Sequence, residues 1–394
     1  MSNQDRVTFA AASSQHPIPA FAVGEVIGQI YEQLGPHPDV VVLFVTAAHT
    51  GALDDIMATI RATLAPAVLI GTTASGVIAT GQAMEHSPAI SVWATNHMAA
   101  TPMMLDAVDE SLGLMMNGWQ PEVADQSSTL ILLADPFSFP AHRAIAAVGH
   151  RHPHLGVVGG FASGGRRPGG NRLMLNERVI TTGAVGLLIP RRSMVIENIV
   201  SQGTRAVGPV MTVTATDGGR SVQALALEPA LDRFDQIVAD ATDEERQLMT
   251  EGLLLGVITQ TTTKTTTVAS PIAGVDRLTR ALVTAEPVPV GTVVQFHVRD
   301  RRRSTDDLAA ALRGSTLGSR TGGALLFCTT TRANQGRRDA DIDPVVVQET
   351  FNVPAAGLFC DGVFGAMAGT PQVITDAVSV TLFAEPVVQT PDQS

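Results

Sequence analysis

The chain has 394 residues, of which 45% are hydrophobic and only 16% charged, so it is long enough for two or three domains and is not a disordered chain. Its net charge of −11 argues against an electrostatic grip on nucleic acid or on an anionic membrane. Its two cysteines give no disulfide framework and no zinc spacing, and no apolar run approaches the roughly 20 residues that a membrane helix needs.

The chain opens with a predicted strand at residues 7–12 and a predicted helix at 19–34. Residues 40–76 then contain an apolar run, a helix-length spacer, a second apolar run and a turn of the form G-x-x-x-x-G. A further apolar run follows at 89–96. The residues that recur at helical spacing in the predicted helix are Phe21, Val26, Ile27, Ile30 and Leu34.

The same order of patterns occurs twice more along the chain. Residues 129–164 contain TLILLADPFS, a spacer and LGVVGGFASG, and an apolar run follows at 184–190. Residues 323–362 contain GALLFCTTTR, a spacer and AAGLFCDG, and an apolar run follows at 377–385. This self-similarity predicts an α/β fold of repeated β-α-β-β units, an internal pseudo-duplication in which mixed sheets are flanked by helices.

The region between the second and third copies is less regular. It contains a predicted strand at 210–216 and a predicted helix from Pro229 to Ala239. The polar run at 259–267 predicts either an exposed strand pair or a mobile loop, and residues 120–128 read as a linker.

The third copy has a prefix that matches the prefix of the first. A strand is predicted at 293–299 and a helix at 305–313, with Ser304 as its N-cap. Residues 7–96 and 293–385 are therefore predicted to be two versions of one β-α-β-α-β-β module.

The glycine turns are the first candidate site, because glycine lets backbone N–H groups approach an anion closely. None is followed by the Lys-Ser/Thr pair of a phosphate-binding P-loop, which disfavours nucleotide hydrolysis. Each turn is therefore either a tight turn between buried strands or a ligand-facing turn. The candidate residues of the turns are Gly71, Thr72, Thr73, Ser75, Gly76, Gly159, Gly160, Ser163, Asp361 and Gly362.

Two arginines at predicted strand ends are the second candidate site. Arg299 could hold a ligand carboxylate in a two-pronged contact, and Arg332 could point into the same cleft. The alternative for Arg299 is a structural ion pair with Asp300 at the end of the strand.

Cys328 and Cys360 end two strands of the third copy, so their thiols could lie close together. A nucleophilic cysteine would need a positive neighbour such as Arg332 or Arg299 to lower its pKa. The alternative is that both are small buried hydrophobic residues.

Histidines at 150, 152 and 154 invite a metal-site interpretation. Pro153 and the position before the strand favour an exposed turn instead, so no metal and no cofactor are predicted.

The phrases VVVLFVT, IGTTASGVI, LILLADPFSFP and VVGGFASGG resemble the N-terminal FIST domain, and VVQFHVRD, GALLFCTTTR and AAGLFCDGVFG resemble the C-terminal one. The resemblance spans residues 7–385 and divides the chain into 1–210 and 211–394. It implies a sensory, small-ligand-binding unit of bacterial signal transduction, with amino acids as proposed ligands, and no established enzyme activity. Gly-Glu, common in similar proteins, is replaced by Gly76-Val77 and Gly362-Val363, and the usual histidine near Thr375 is absent.

The resulting prediction is a cytoplasmic, non-catalytic protein that binds a small anionic or zwitterionic metabolite in a cleft between modules. Signalling would then need a partner protein or a homo-oligomer, and neither nucleic acid nor membrane is expected to bind. The alternatives are an enzyme that uses Cys328 or Cys360, and an interaction scaffold without a metabolite site.

Overall fold

The structure is a computed structural model that describes residues 7–110, 113–119, 128–260, 265–333, 342–367 and 369–386. Most of the predicted linker at 120–128 lies outside these residues. The elements of the first copy are β1 (Phe9–Ser14), α1 (Pro19–Leu34), β2 (Val40–Thr46), α2 (Leu53–Leu64), β3 (Val68–Ala74), β4 (Gly76–Ala79), β5 (Gln82–Glu85) and β6 (Ile90–Thr95).

The second copy and the strand that follows it are built in the same way. Their elements are β7 (Thr101–Glu110), β8 (Gly113–Asn117), β9 (Thr129–Ala134), α3 (Ala141–Arg151), β10 (Gly156–Phe161), β11 (Leu173–Leu175), β12 (Arg178–Ile180), β13 (Ala184–Ile189) and β14 (Val195–Ser201).

A mainly antiparallel segment comes next. Its elements are β15 (Thr204–Thr216), β16 (Ser221–Leu225), β17 (Glu228–Pro229), α4 (Ala230–Asp240), α5 (Asp243–Glu251), β18 (Leu253–Gln260), β19 (Thr265–Asp276), β20 (Ala281–Thr284) and β21 (Val293–Arg299). The strands lie in the order β15-β21-β18-β19-β20-β16-β17, and β16 also pairs with β15, so the sheet closes into a barrel. The two ends of the polar run at 259–267 pair as neighbouring strands, since Gln260 pairs with Thr265. Residues 261–264 lie outside the described residues.

The third copy completes the chain. Its elements are α6 (Arg301–Arg313), β22 (Gly323–Thr329), α7 (Thr330–Ala333), α8 (Ile342–Phe351), β23 (Ala355–Cys360), β24 (Val363–Met367), β25 (Thr370–Ile374) and β26 (Val378–Ala384). These mixed sheets flanked by helices confirm the predicted α/β class.

The three mixed sheets share one strand order. They run β1-β6-β2-β3-β11-β12, then β8-β7-β13-β9-β10-β24-β25, then β14-β26-β22-β23-β4-β5. In each sheet a parallel central pair is buried on both faces, as continuous apolar runs require, and a short hairpin from a different copy extends the sheet. The hairpin of the first copy joins the third sheet, that of the third copy joins the second sheet, and that of the second copy joins the first sheet.

The parallel pairs also share one register. Leu43 pairs with Gly71, Leu132 with Gly159, and Leu326 with Gly357, so the first glycine of each turn faces a leucine of the neighbouring strand. The origin of the three copies by duplication stays a prediction.

Three sequence-based expectations were wrong. Strand β21 lies in the barrel, and β14 takes the edge of the third sheet that β1 occupies in the first sheet, so the two prefixes are not equivalent. The N-cap of α6 is Asp300, which accepts from the amide of Arg303 at 3.3 Å, because the carboxylate directly follows the strand. Phe21 is 60% exposed, and its ring contacts the His16 ring at a tilted angle instead of facing the core.

Candidate functional site

The three glycine turns meet at one junction. The amide of Ser75 donates to the Ser163 hydroxyl at 3.0 Å, and the amide of Ser163 donates to the Thr73 carbonyl at 3.1 Å. The amide of Phe161 donates to the carbonyl of Gly362 at 3.1 Å, which links the second turn to the third. The fold therefore brings the three turns together, as the sequence predicts.

The junction is packed, and the amides of Ser75, Phe161, Ser163 and Gly164 already donate within it. A Cβ on Gly160 would lie 2.9 Å from the Cys360 sulfur, and one on Gly164 would lie 2.7 Å from Thr73. The Ser163 hydroxyl also contacts the carbonyl of Phe359. These contacts favour the packed-turn interpretation for a set of candidate residues whose ligand-facing role stays a prediction: Gly71, Thr72, Thr73, Gly76, Gly159, Gly160, Ser163 and Gly362.

Two turn residues remain at the surface. Ser75 is exposed, and its hydroxyl is 3.4 Å from the Phe359 carbonyl. Asp361 is exposed, accepts from the Thr330 hydroxyl at 3.1 Å, and lines a separate open cavity of about 410 Å³ beside Phe139.

The arginines predicted from the sequence line a small cleft that is open to solvent and has a cavity volume of about 50 Å³. Four chain segments form it: the link between β14 and β15, the end of β21 with the start of α6, the α7–α8 region, and the residue before β26. Its lining residues are Gln202, Gly203, Arg299, Asp300, Ser304, Thr305, Arg332, Ile342, Asp343 and Asp376.

Both arginines of the cleft are held by aspartates of the same chain. Arg299 donates to the two carboxylate oxygens of Asp376 at 2.9 and 2.8 Å, and the Asp376 side chain is only 3% exposed. Arg332 donates to the two oxygens of Asp343 at 2.8 and 2.6 Å, and the Asp343 side chain is 9% exposed. The two-pronged contact between arginine and carboxylate that the sequence predicted therefore exists. The carboxylates belong to aspartates of the same chain and not to a ligand.

Burial acts to lower the pKa of Arg332, but the charge and hydrogen bonds of Asp343 outweigh it and raise that pKa above its usual value. The negative charge of Asp376 acts on Arg332 in the same direction. The two ion pairs therefore form one coupled cluster, in which Asp376 influences both arginines.

Sequence reasoning missed Asp376 and Gln202. Asp376 has φ = 51°, a left-handed conformation that aspartate adopts more readily than most residues, but nothing near it in the sequence signals a partner at Arg299. The Gln202 side chain donates to the carbonyls of Ala269 and Thr375 at 2.7 and 2.9 Å, so it joins the barrel to the third sheet.

The cysteines do not form a reactive pair. Strands β22 and β23 are neighbours, as predicted, but Cys328 packs in the core with α6 and α8 whereas Cys360 packs in the core on the opposite face. Burial raises the pKa of Cys328 well above its usual value, and the charge of Asp343 adds to this although Arg332 opposes it. Burial likewise raises the pKa of Cys360. These environments disfavour a thiolate nucleophile.

Native protein is therefore expected to react with iodoacetamide at neutral pH far more slowly than a free thiol, because both sulfurs are buried and protonated. Mass spectrometry of alkylated samples, with and without denaturant, measures this. Rapid labelling of either cysteine in the native state would revive the enzyme alternative.

His297 on β21 is buried, and burial lowers its pKa to about 4. The fold holds the ring neutral, so its contribution to stability is complete above the unfolded-state pKa of about 6.5 and is lost as the pH falls from there towards 4. Between pH 7 and pH 5 this group is expected to remove about 2 kcal/mol from the free energy of unfolding.

Urea unfolding of wild type and His297→Gln at both pH values measures this contribution. The variant should lose less stability than wild type on acidification. An equal loss in both proteins would assign the pH dependence to other groups.

The HRHPH segment does not form a metal centre. His150 lies in the last turn of α3, and the His152 ring contacts the Trp119 ring at a tilted angle with centroids 5.6 Å apart. Across the described ranges no group of three or more histidine, cysteine or acidic side chains could hold a metal ion.

Within those same ranges, no helix has the length and apolar character needed to span a bilayer.

Comparison with known proteins gives two family matches and several full-length relatives. The FIST N domain model matches residues 39–226, and the FIST C domain model matches residues 230–365. An uncharacterized protein of Mycobacterium tuberculosis is 32% identical over 381 residues, covering 92% of this chain and 96% of the relative. An uncharacterized protein of Mycobacterium bovis is 32% identical over 378 residues, covering 92% and 95%.

Proposed function

The chain belongs to the FIST family, whose domains are associated with sensing and signal transduction, and from this premise we propose that it is a non-catalytic sensor that binds a small charged metabolite in the arginine cleft. The expected ligand is the anionic or zwitterionic metabolite that the sequence suggested. The site is this small, solvent-open cleft.

The observation that carries this proposal is the presence of both charge signs in one concave site. Two arginines and three aspartates line the cleft, together with the hydroxyl of Ser304. Small-molecule sites are typically concave and place a few convergent polar groups in this way.

The cleft lies where the barrel meets the third sheet, which suggests how binding could be transmitted. Arg299 at the end of β21 and Asp376 before β26 form one link, and Gln202 forms another. A ligand that changes either link would alter the angle between barrel and sheet, as in other hinge-type switches. The signal would pass to a partner protein or to a second copy of the chain.

A thermal-shift screen with amino acids, small carboxylates and nucleotides tests the proposal. A ligand present at about 100 times its Kd should stabilise the fold by roughly 2.7 kcal/mol, which such a screen detects. Isothermal titration calorimetry would then give the stoichiometry, which is expected to be one per chain.

A cleft-filling variant ties binding to this site. Ile342→Trp places a bulky ring at the cleft wall, whereas Glu349→Trp places the same ring on the exposed side of α8. We expect the first variant to lose the thermal shift and the second to keep it. Ligand binding that survives in both would move the site elsewhere.

The two alternatives are less compatible with these observations. A cysteine enzyme would need a thiolate that burial disfavours, and a scaffold without a metabolite site would not need a compact polar cleft. No stabilising ligand in the whole screen would favour the scaffold.

A further inference from the structure

Two aromatic side chains lie exposed on one side of α1. Phe21 is 60% exposed and Tyr31 is 51% exposed, and among the described phenylalanine, tyrosine and tryptophan residues only Phe137 is comparably open to solvent. Gly24 and Gly28 lie between them at helical spacing, and a Cβ added to either glycine would meet no atom within 4 Å. These four residues of α1, here called the α1 stripe, have bulky ends and a low centre.

The long polar side chains beside the α1 stripe are bound to β1 and do not cover it. Gln29 and Gln33 hydrogen-bond to backbone groups of β1 at 3.0–3.4 Å, and Glu25 accepts from the hydroxyl of Ser14 at the end of that strand. These contacts close the unpaired edge of β1, which would otherwise be open to another strand. The α1 stripe is left as an uncharged, exposed apolar surface, and such surfaces mark sites of protein association.

The α1 stripe has the same order of large and small residues in both directions. Phe21 and Tyr31 lie five residues on either side of position 26, and Gly24 and Gly28 lie two residues on either side of it. In an interface with two-fold symmetry, residue i of one molecule contacts residue j of the other, and j contacts i. An antiparallel pair of α1 helices centred on position 26 therefore brings each phenylalanine level with a tyrosine and each Gly24 against a Gly28. The stripe is thus complementary to itself.

The charges on this side of the molecule are compatible with the antiparallel pairing. Glu32 on α1 would lie level with Ala20 of the other molecule and not with a second acidic residue. Helix α2 runs in the same direction as α1, because β1 and β2 both pair antiparallel with β6. It carries Asp54 and Asp55 in its first turn and Arg61 in its last, so an antiparallel neighbour sets an acidic helix start towards a basic helix end.

The size of the face is just sufficient for a specific contact. Helix α1 has 16 residues and is about 24 Å long, and two helices side by side are about 20 Å wide. Counted over both molecules this is close to 1,000 Å², about the minimum for a specific interface. The outward residues of α2 are small and keep the face flat: Ala58, Thr59, Ala62 and Thr63. The expected association is therefore weak and reversible.

We propose that the α1 stripe is the centre of a homodimer interface, in which the α1 helices of two molecules pack antiparallel about a two-fold axis at position 26. The glycines let the two backbones approach closely, and the aromatic side chains close the contact at both ends. This inference goes beyond the proposed function, because it needs no ligand and uses a face outside the arginine cleft.

Sedimentation velocity of the full chain over roughly 1–100 µM tests the association. We expect wild type to form a dimer with a Kd of roughly 10 µM, and Gly28→Arg to remain monomeric across the range, because a long charged side chain keeps the helices apart. Arginine is a better helix former than glycine, so the variant should fold, and circular dichroism checks this. The matched control is Ala146→Arg on the exposed side of α3, which should dimerise like wild type.

Disulfide cross-linking of Phe21→Cys mixed with Tyr31→Cys tests the direction of the pairing. A disulfide needs Cα atoms within about 7 Å, and the two positions 21 of an antiparallel pair lie about 15 Å apart along the helix. We expect a cross-linked dimer from the mixture under mild oxidation, and little from either variant alone. The mixed dimer keeps one contact between Phe21 and Tyr31, and the native cysteines do not interfere because both are buried.

Each outcome supports or overturns the interface. A monomer at every concentration overturns it, and so does an unchanged dimer in a folded Gly28→Arg variant. Cross-linking of the separate variants as strong as that of the mixture overturns the antiparallel arrangement. A dimer that is lost in Gly28→Arg and cross-links only in the mixture supports it. None of these results depends on whether a metabolite binds in the arginine cleft.

Discussion

Replacing Gly159 with alanine is expected to lower the free energy of unfolding by about 3 kcal/mol or more, one of the largest effects that a single added methyl group can have in this chain. Gly159 has φ = 135°, a conformation that L side chains rarely adopt. An added Cβ would also lie 1.9 Å from the carbonyl oxygen of Leu132 on the parallel partner strand. Because this contact is with backbone and not with a flexible side chain, the backbone of β9 or β10 would have to move. The added methyl group would therefore disturb the register between the two strands.

Gly24→Ala is the matched control, because that glycine lies on the exposed side of α1 with no atom within 4 Å of the added Cβ. It should be neutral or stabilise the fold by about 0.5–1 kcal/mol, as alanine does in helices. Urea denaturation of both variants measures the difference. A Gly159→Ala protein as stable as wild type would show that the three parallel pairs tolerate a wider spacing than their shared register implies.

Arg299→Met is expected to cost roughly 3–5 kcal/mol, because it leaves the carboxylate of Asp376 buried without its partner. The double variant Arg299→Met/Asp376→Asn should be closer to wild type in stability than the single variant. Asparagine tolerates the left-handed backbone at position 376 and carries no charge that needs compensation. The measurement is a double-mutant cycle from denaturant unfolding, completed with Asp376→Asn alone.

An exposed ion pair provides the comparison. Arg246→Met removes the partner of Asp243, whose side chain is 100% exposed, and should change stability little because water screens the remaining charge. Additive effects in the Arg299–Asp376 cycle would mean that the pair is not coupled. The link between barrel and third sheet would then have to rest on Gln202 and apolar contacts.

Much of the fold follows from local patterns. Strands such as β2 and β22 are continuous aliphatic runs, and such runs are typical of parallel strands covered on both faces. Helix α4 lies within one residue of its predicted bounds, because its apolar periodicity is strong. The sequence also predicted that the glycine turns gather, but the structure brings them together by exchanging hairpins among three sheets and not at the edge of one sheet.

The exchange of hairpins could not be predicted. A short strand such as β4 has the same apolar pattern whether it extends its own sheet or another one, so the sequence does not reveal its partner. The same ambiguity makes the sequence predict β21 as the first strand of the third copy, whereas the structure has it in the barrel.

The sequence suggested part of the lining of the arginine cleft, and its role as a ligand site stays a prediction. Arg299, Asp300 and Arg332 do lie in one cleft, since all three follow strand ends that face it. Asp376 could not be assigned as the partner of Arg299, because 77 residues separate the two and neither carries a local signal of the other.

The cyclic exchange of hairpins makes the two halves of this chain mutually dependent. A fragment ending near residue 226 would carry β4–β5 without the strand they extend, and its second sheet would lack β24–β25. The complementary fragment would expose β23 as an unpaired edge, the kind of edge that promotes aggregation. Separately produced halves should therefore be insoluble alone yet reassemble when refolded together, which makes the family's two named domains interlocked parts of one folding unit.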